Sequence, residues 1–243
     1  MLFRQYISRF IICMTGLTLY ALGTYFGVIA GAAGTNGWNT LALGLSNCTG
    51  MSFGRGVFIV SAAILIIDFI GKGKLGAGTF LNALYIPWMS DVFLETLSFV
   101  PDPPNILVGT FYTLLGQMII AFATVIYMKP GLGAGPRDTL MVITGKIVPK
   151  VPIGAVKFVL EIAALLAGVL MGAVFGIGTV LVIALQAIFF QFACKVCRFE
   201  PRRCGKRGSG RHLEEDFPAV ICLQSIVPAF FRVFPGQERT WGV

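Results

Sequence analysis

The sequence predicts an all-α membrane protein of six transmembrane helices plus two short half-helices, arranged as two inverted three-span repeats. Three observations carry that prediction. Of 243 residues, 56% are apolar and 12% charged, where a soluble domain carries about a quarter charged residues. No Asp, Glu, Lys or Arg occurs between Arg9 and Arg55, between Asp102 and Lys129, or between Glu161 and Lys195; each gap exceeds the ~20 residues that cross a bilayer. Finally, the chain compared with itself matches in three places, in order, about 100 residues apart. Disorder, which requires low hydrophobicity, is excluded.

The first span runs from about Phe10 to Ala33. Arg4 and Arg9 precede it and Ala30-Gly31-Ala32 resembles a cleavage site, but its apolar stretch is longer than the ~7–15 residues of a signal-peptide core, so it reads as a retained helix. After Asn39, the run from Thr40 to Leu45 is too short to span and Asn47, Thr49 and Gly50 break it. It is read as a half-helix. Spans follow at about Phe53 to Ile70, Leu75 to Leu97 and Asn105 to Met128. A second half-helix covers Thr139 to Ile147, and the last spans are Pro152 to Phe175 and Gly178 to Val196. Residues 1–197 therefore form one transmembrane domain, with repeat one at about 10–97 and repeat two at about 105–197. Residues 198–243 are expected to form a basic cytoplasmic tail, partly disordered or lying in the interface.

Loop charges set the orientation. With the N-terminus inside, the inner face receives Arg4, Arg9, Lys72, Lys74, Lys129, Arg137, Lys146 and Lys150, while the outer face keeps Arg55, Glu95 and Asp102. Both termini are then cytoplasmic. Seven basic residues between Lys195 and Arg211 follow the last span, a placement that suits anionic lipid and not nucleic acid.

Gly34-Thr35-Asn36-Gly37-Trp38-Asn39-Thr40-Leu41 aligns with Gly133-Ala134-Gly135-Pro136-Arg137-Asp138-Thr139-Leu140 at an offset of 99. Gly54 with Gly154, Phe58 with Phe158, and Gly76-Ala77-Gly78-Thr79-Phe80-Leu81 with Gly176-Ile177-Gly178-Thr179-Val180-Leu181 match at 100. Three crossings per repeat make the halves inverted, and the charges agree: the first Gly-rich loop falls on the charge-poor side, the second on the Lys-rich side. Many secondary transporters hold a site between such repeats near the midplane.

These strings, together with Gly76 to Ala83, resemble the YczE/YitT family of bacterial membrane proteins, YczE-like branch, over about Phe10 to Cys197. The family pattern places Pro and an acid where the first turn has Gly37 and Asn39. The resemblance implies a multi-pass protein of the bacterial cytoplasmic membrane.

Asn39 and Asp138 occupy matched positions directly before the half-helices, where each is expected to cap the first turn and, with Thr40 and Thr139, to line a solute site at the half-helix N-termini. Asn82 is a third polar residue in apolar surroundings. Glu161 falls ~13 Å into the membrane counting from Pro152. It reads either as a partner of Lys157 one turn earlier or as an ion-coupling carboxylate; its repeat mate is Ser61. Trp38 and Arg137 are expected at opposite interfaces, Asp91 at a solvated helix end matched by Gln191, and Asp68 beside Lys72. Gly34, Gly133, Gly78 and Gly178 are read as structural turns. Cys194, Cys197, Cys204 and His212 lack regular zinc-ligand spacing, so no metal is expected. No nucleophile has a base partner in the membrane region, so an enzyme is not expected, nor a cofactor.

The function expected is a small-solute transporter or exporter, with the lipid bilayer, an unidentified small solute and, through the basic tail, anionic lipid as partners. The alternative is a non-transporting accessory or regulatory protein acting through that tail.

Overall fold

A computed structural model describes residues 2–73, 75–151 and 153–198, without the side chains of residues 2–5 and 153. The structure is helical, and no strand occurs among the described residues. In order, it contains α1 (Leu2–Ile29), a 3₁₀ turn (Gly31–Ala33), α2 (Gly37–Thr49), α3 (Phe53–Ile70), α4 (Ala77–Thr96), α5 (Ile106–Met128), α6 (Pro136–Ile147), α7 (Ile153–Leu170) and α8 (Ile177–Val196). Four of these helices are long and apolar enough to cross a membrane: α1 from Tyr6, α3, α5 and α8. α4 and α7 have similar lengths, 20 and 18 residues, but carry Asp91 and Glu95, and Lys157 and Glu161. The expectations about the tail, its cysteines included beyond Cys197, fall outside the described residues.

Helix ends follow local chemistry. Asn36 caps α2 by accepting from the Asn39 N–H at 3.0 Å, Ser52 caps α3, and Asn105 caps α5 by accepting from Val108 N–H at 2.9 Å. α6 starts with Pro136, whose missing N–H costs nothing at the first helical position. Asn39 and Asp138 are therefore not caps. Each is the third residue inside its helix, and the sequence reading placed the helix starts too late because Gly37 and Pro136 look like breakers out of context.

At the centre α1 packs along α5. The two backbones meet at Gly23 and Gly116: a Cβ on Gly23 would lie 2.6 Å from the Gly116 carbonyl oxygen, and one on Gly116 2.5 Å from that of Gly23. α4 flanks α1, and α8 flanks α5. The short helices cross over to the other half, α2 packing on α7 and α6 on α3.

The Gly-rich loops cross over too. The loop before α2 seats on the start of α8, where Gly34, at φ +77°, presses against Thr179 and the Gly176 N–H. The loop before α6 seats on the start of α4: Gly78 N–H donates to Leu132 O at 2.9 Å, and Thr79 Oγ1 donates to Ala134 O at 2.7 Å while accepting from Gly76 N–H at 3.1 Å. Gly133 (φ +131°) lies against Gly76 and Thr79, and Gly178 against Ala33 and Thr113. Gly34 and Gly133 thus serve as turns and as close contacts, whereas Gly78 and Gly178, read from sequence as turns, lie in the first turns of α4 and α8 and serve the close contacts alone.

Two acids depart from their expected surroundings. Asp91 is not a solvated helix end: its carboxylate accepts from Ser52 Oγ and Gly54 N–H, both at 2.6 Å, and so ties α4 to the start of α3. Asp91→Ala is expected to lower stability by about 1–2 kcal/mol, the scale of a lost charged hydrogen bond, read as an earlier thermal unfolding transition in detergent. Asp68 is fully buried and neither carboxylate oxygen has a hydrogen-bond partner. It does not pair with Lys72, because α3 ends at Ile70 and Lys72 turns into the left-handed region at φ 53°.

Candidate functional site

The two short helices begin near one another in the interior. Arg137, second residue of α6, places its guanidinium carbon 5.5 Å from the ring centroid of Trp38, second residue of α2. Trp38 and Arg137 are thus stacked partners, not residues of opposite interfaces. Both helix N-termini, with their partial positive charge, therefore lie close together.

Around this point lies a cavity of about 700 Å³. Its polar lining comes from Tyr20 of α1, Asn82 of α4, Gln117 and Tyr127 of α5, Arg137 and Asp138 of α6, Lys157 and Glu161 of α7, and Gln186 of α8. Apolar residues of α3, α4, α5, α7 and α8 supply much of the rest, among them Val57, Ile86, Ile120, Phe158, Ile183 and Phe190. Pockets that hold small organic molecules combine a largely apolar wall with a few convergent polar groups.

Each ionised group has a defined setting. Tyr127, 2% exposed, donates from its hydroxyl to Asp138 Oδ2 at 3.3 Å and packs edge-on against Tyr20 at 6.4 Å. Tyr20 and Arg137 both line the cavity beside this pair. Glu161, 3% exposed, accepts from the Gly37 N–H through Oε1 at 2.9 Å. A carboxylate on free N–H groups at a helix start satisfies orphan donors and meets the positive end of the helix dipole. Lys157 acts on it by charge alone from one turn away.

That contact explains why only one repeat carries the acid. Gly37 of α2 corresponds to Pro136 of α6, which has no N–H to satisfy, and Glu161 corresponds to Ser61. The two N-termini therefore differ. That of α2 is closed by Asn36 and Glu161, whereas that of α6 has Gly135 at its cap and no side-chain cap. Glu161→Gln is expected to keep most stability, since an amide oxygen still accepts from Gly37 N–H. Glu161→Ala should cost about 2 kcal/mol by leaving a buried donor unpaired, measurable as a shift in the unfolding transition.

Of the residues selected from sequence, Asp138, Asn82, Glu161 and Lys157 line the cavity together. Asn39, Thr40 and Thr139 lie behind it. Asn39 is 1% exposed, Thr40 donates to Asn36 O at 2.9 Å, and Thr139 donates to Gly135 O at 3.2 Å while facing the turn at Gly73. The sequence did not single out Tyr20 and Tyr127. A Tyr amid apolar residues is ambiguous, but Tyr127 falls eight residues before Gly135, against which its hydroxyl rests. Among the described residues no group of three His, Cys, Asp or Glu side chains is placed to hold a metal ion.

The profile of a family of unknown function, DUF6198, matches residues 7–195. An uncharacterized protein of Haemophilus influenzae is 34% identical over 172 residues, covering 70% of this chain and 76% of that one. The uncharacterized membrane protein YczE of Bacillus subtilis is 26% identical over 196 residues, covering 78% of this chain and 87% of its own. The resemblance read from the Gly-rich strings is thereby borne out. No solved structure matches the chain.

Proposed function

Because the chain belongs to DUF6198, a family of unknown function, and is a helical integral membrane protein, we propose that it transports a small solute by alternating access between two inverted three-span repeats. In this reading α1, α3, α4, α5, α7 and α8 cross the membrane, and α2 and α6 are re-entrant half-helices. The observation that carries the proposal is the cavity at the converging N-termini of α2 and α6, with Asp138, Arg137, Lys157, Glu161 and Asn82 on its wall. Irregular backbone at membrane depth is tolerated only where protein or a water-filled cavity surrounds it, and discontinuous helices at a midplane site are the usual device of such carriers.

The packing supports two-fold inversion. α2 on α7 corresponds to α6 on α3, and α1 beside α4 corresponds to α5 beside α8. The loop-to-helix seats at Gly34 with Thr179 and at Gly133 with Thr79 also correspond. In this reading, in which the loop charges favour cytoplasmic termini, the cavity, which extends to Met128 and Gly154, lies closer to the cytoplasmic face.

Thermal stabilisation of the purified protein by a broad library of metabolites, repeated at two pH values and followed by uptake into proteoliposomes, tests the proposal. A saturable shift abolished by Asp138→Ala is expected. Glu161→Gln with unchanged pH dependence would remove Glu161 from ion coupling and leave it as the partner of α2. Removal of residues 199–243 should leave binding intact; activity lost with the tail and no ligand found would favour the accessory protein.

A further inference from the structure

We propose that the cavity takes a zwitterionic amphiphile, entering sideways from the bilayer between α7 and α8 with its head on Asp138 and Lys157 and its chain in the seam. This names the substrate class of the transport site proposed above and rests on that reading.

The first argument is the seam itself. In the first half α3 packs closely on α4: Gly54 lies against the Pro87 carbonyl, and Asp91 binds Ser52 and Gly54. The corresponding pair, α7 and α8, scarcely touches. Gly154, the counterpart of Gly54, lines the cavity, and the counterpart of Asp91 is the uncharged Gln191. Over its most apolar stretch α8 is 22% buried, against 39–44% for α1, α3 and α5.

The cavity opens at this seam. Among its lining residues, the exposed ones are Phe158 of α7, at 53%, and Ala184 of α8. Outside them the surface continues as Val159, Leu166, Ile188 and Phe192, all 45–62% exposed. A mouth rimmed in this way admits an acyl chain without dehydrating it from water, because hydrocarbon is already outside.

The second argument is the charge left over at the inner end. Glu161 accepts from the Gly37 N–H, and Arg137 is stacked over Trp38. Asp138 keeps its second carboxylate oxygen, and Lys157, which acts on Glu161 through space without an ion pair to it, presents its ammonium on the same wall. One acid and one base match a head bearing both a cation and an anion; a head of single charge would strand one of them in a low-dielectric site. The uncapped start of α6 adds backbone donors for the anionic group. Gln117, 9% exposed, faces the cavity with no protein hydrogen bond and so waits for a ligand atom.

Lysophosphatidylcholine carrying a photoactivatable diazirine in its chain is the probe, with the full-length protein in lipid nanodiscs and cross-links mapped by mass spectrometry. Saturable labelling at Phe158, Ala184 and Phe190 is expected, competed by unlabelled lysophosphatidylcholine. Ala184→Trp, at an exposed position where bulk does not strain the core, should cut labelling about tenfold with an unchanged unfolding transition, and Asp138→Asn should weaken competition about tenfold. Unsaturable labelling spread over all apolar helices overturns the proposal. So does a dimer whose contact protects Phe158 and Ala184. Equal competition by chainless phosphocholine, insensitive to Ala184→Trp, also overturns it but leaves the transport reading in place, with a water-borne ligand. If neither amphiphile nor soluble solute binds and Asp138→Asn changes nothing, the transport reading falls as well.

Discussion

Replacing Asp138 by Ala is expected to weaken ligand binding by about a hundredfold, the scale of a lost charged contact in a buried site, while the protein stays folded. Asp138 is half-buried in the first turn of α6 and lines the cavity. Its charge meets the positive end of that helix, so removal costs stability only at the level of a surface helix-dipole term, about 0.3–1 kcal/mol. The Tyr127 hydroxyl loses its acceptor but lies against the cavity and can turn to water or solute. Asp138→Asn keeps the shape and one acceptor, and should bind at an intermediate level. Tyr127→Phe removes the donor that orients the carboxylate and should cost about five- to tenfold, one ordinary hydrogen bond. Calorimetric titration with whichever solute gives a thermal shift separates these cases. An Asp138→Ala variant that binds normally would move the site elsewhere; one that fails to fold would assign Asp138 to α6 alone.

The largest structural effect is expected at the crossing of α1 and α5. Gly116→Val should destabilise by about 3 kcal/mol or more, the upper range for overpacking a tight contact. The added carbon would meet the Gly23 carbonyl at 2.5 Å, the Gly27 nitrogen at 3.1 Å and the Phe26 side chain at 3.1 Å. Two of those are backbone atoms of a helix that cannot yield without moving as a whole. Close helix approach through small residues is what associates helices in lipid, where no hydrophobic force acts between them. Leu170→Ala, at a side chain 89% exposed, is the control and should leave stability unchanged. Unfolding in graded denaturing detergent reads both. If Gly116→Val melted with the wild type, α1 and α5 would not be the rigid pair on which the halves are built.

Much of the scaffold was legible because its causes are local. Apolar runs, charge-free gaps and breakers such as Gly50, Lys72-Gly73 and Pro103-Pro104 mark where helices begin and end, and a hydrophobic stretch reports its own length without reference to any partner. The short helices were legible for the same reason, although their starts were misplaced: Gly37 and Pro136 are inside, not before, the first turn. The repeat strings marked Asp138, and its depth along an apolar span marked Glu161.

What the sequence by itself determined is the class of protein, the order of its helices, and the matched strings in its two halves. Only the tertiary structure decided which face of each helix looks into the cavity. A shift of a single position turns a side chain by about 100° around a helix, so Asn39, Thr40 and Thr139 are sealed behind the site while Tyr20 and Tyr127, undistinguished in sequence, enter it. It also decided the partner of Glu161. The nearby Lys157 is the obvious choice along the chain, but the Gly37 N–H, 124 positions away, is the group whose unsatisfied donor costs most in a medium without water. Such pairings depend on which helix ends come together, and no local property of either segment encodes that.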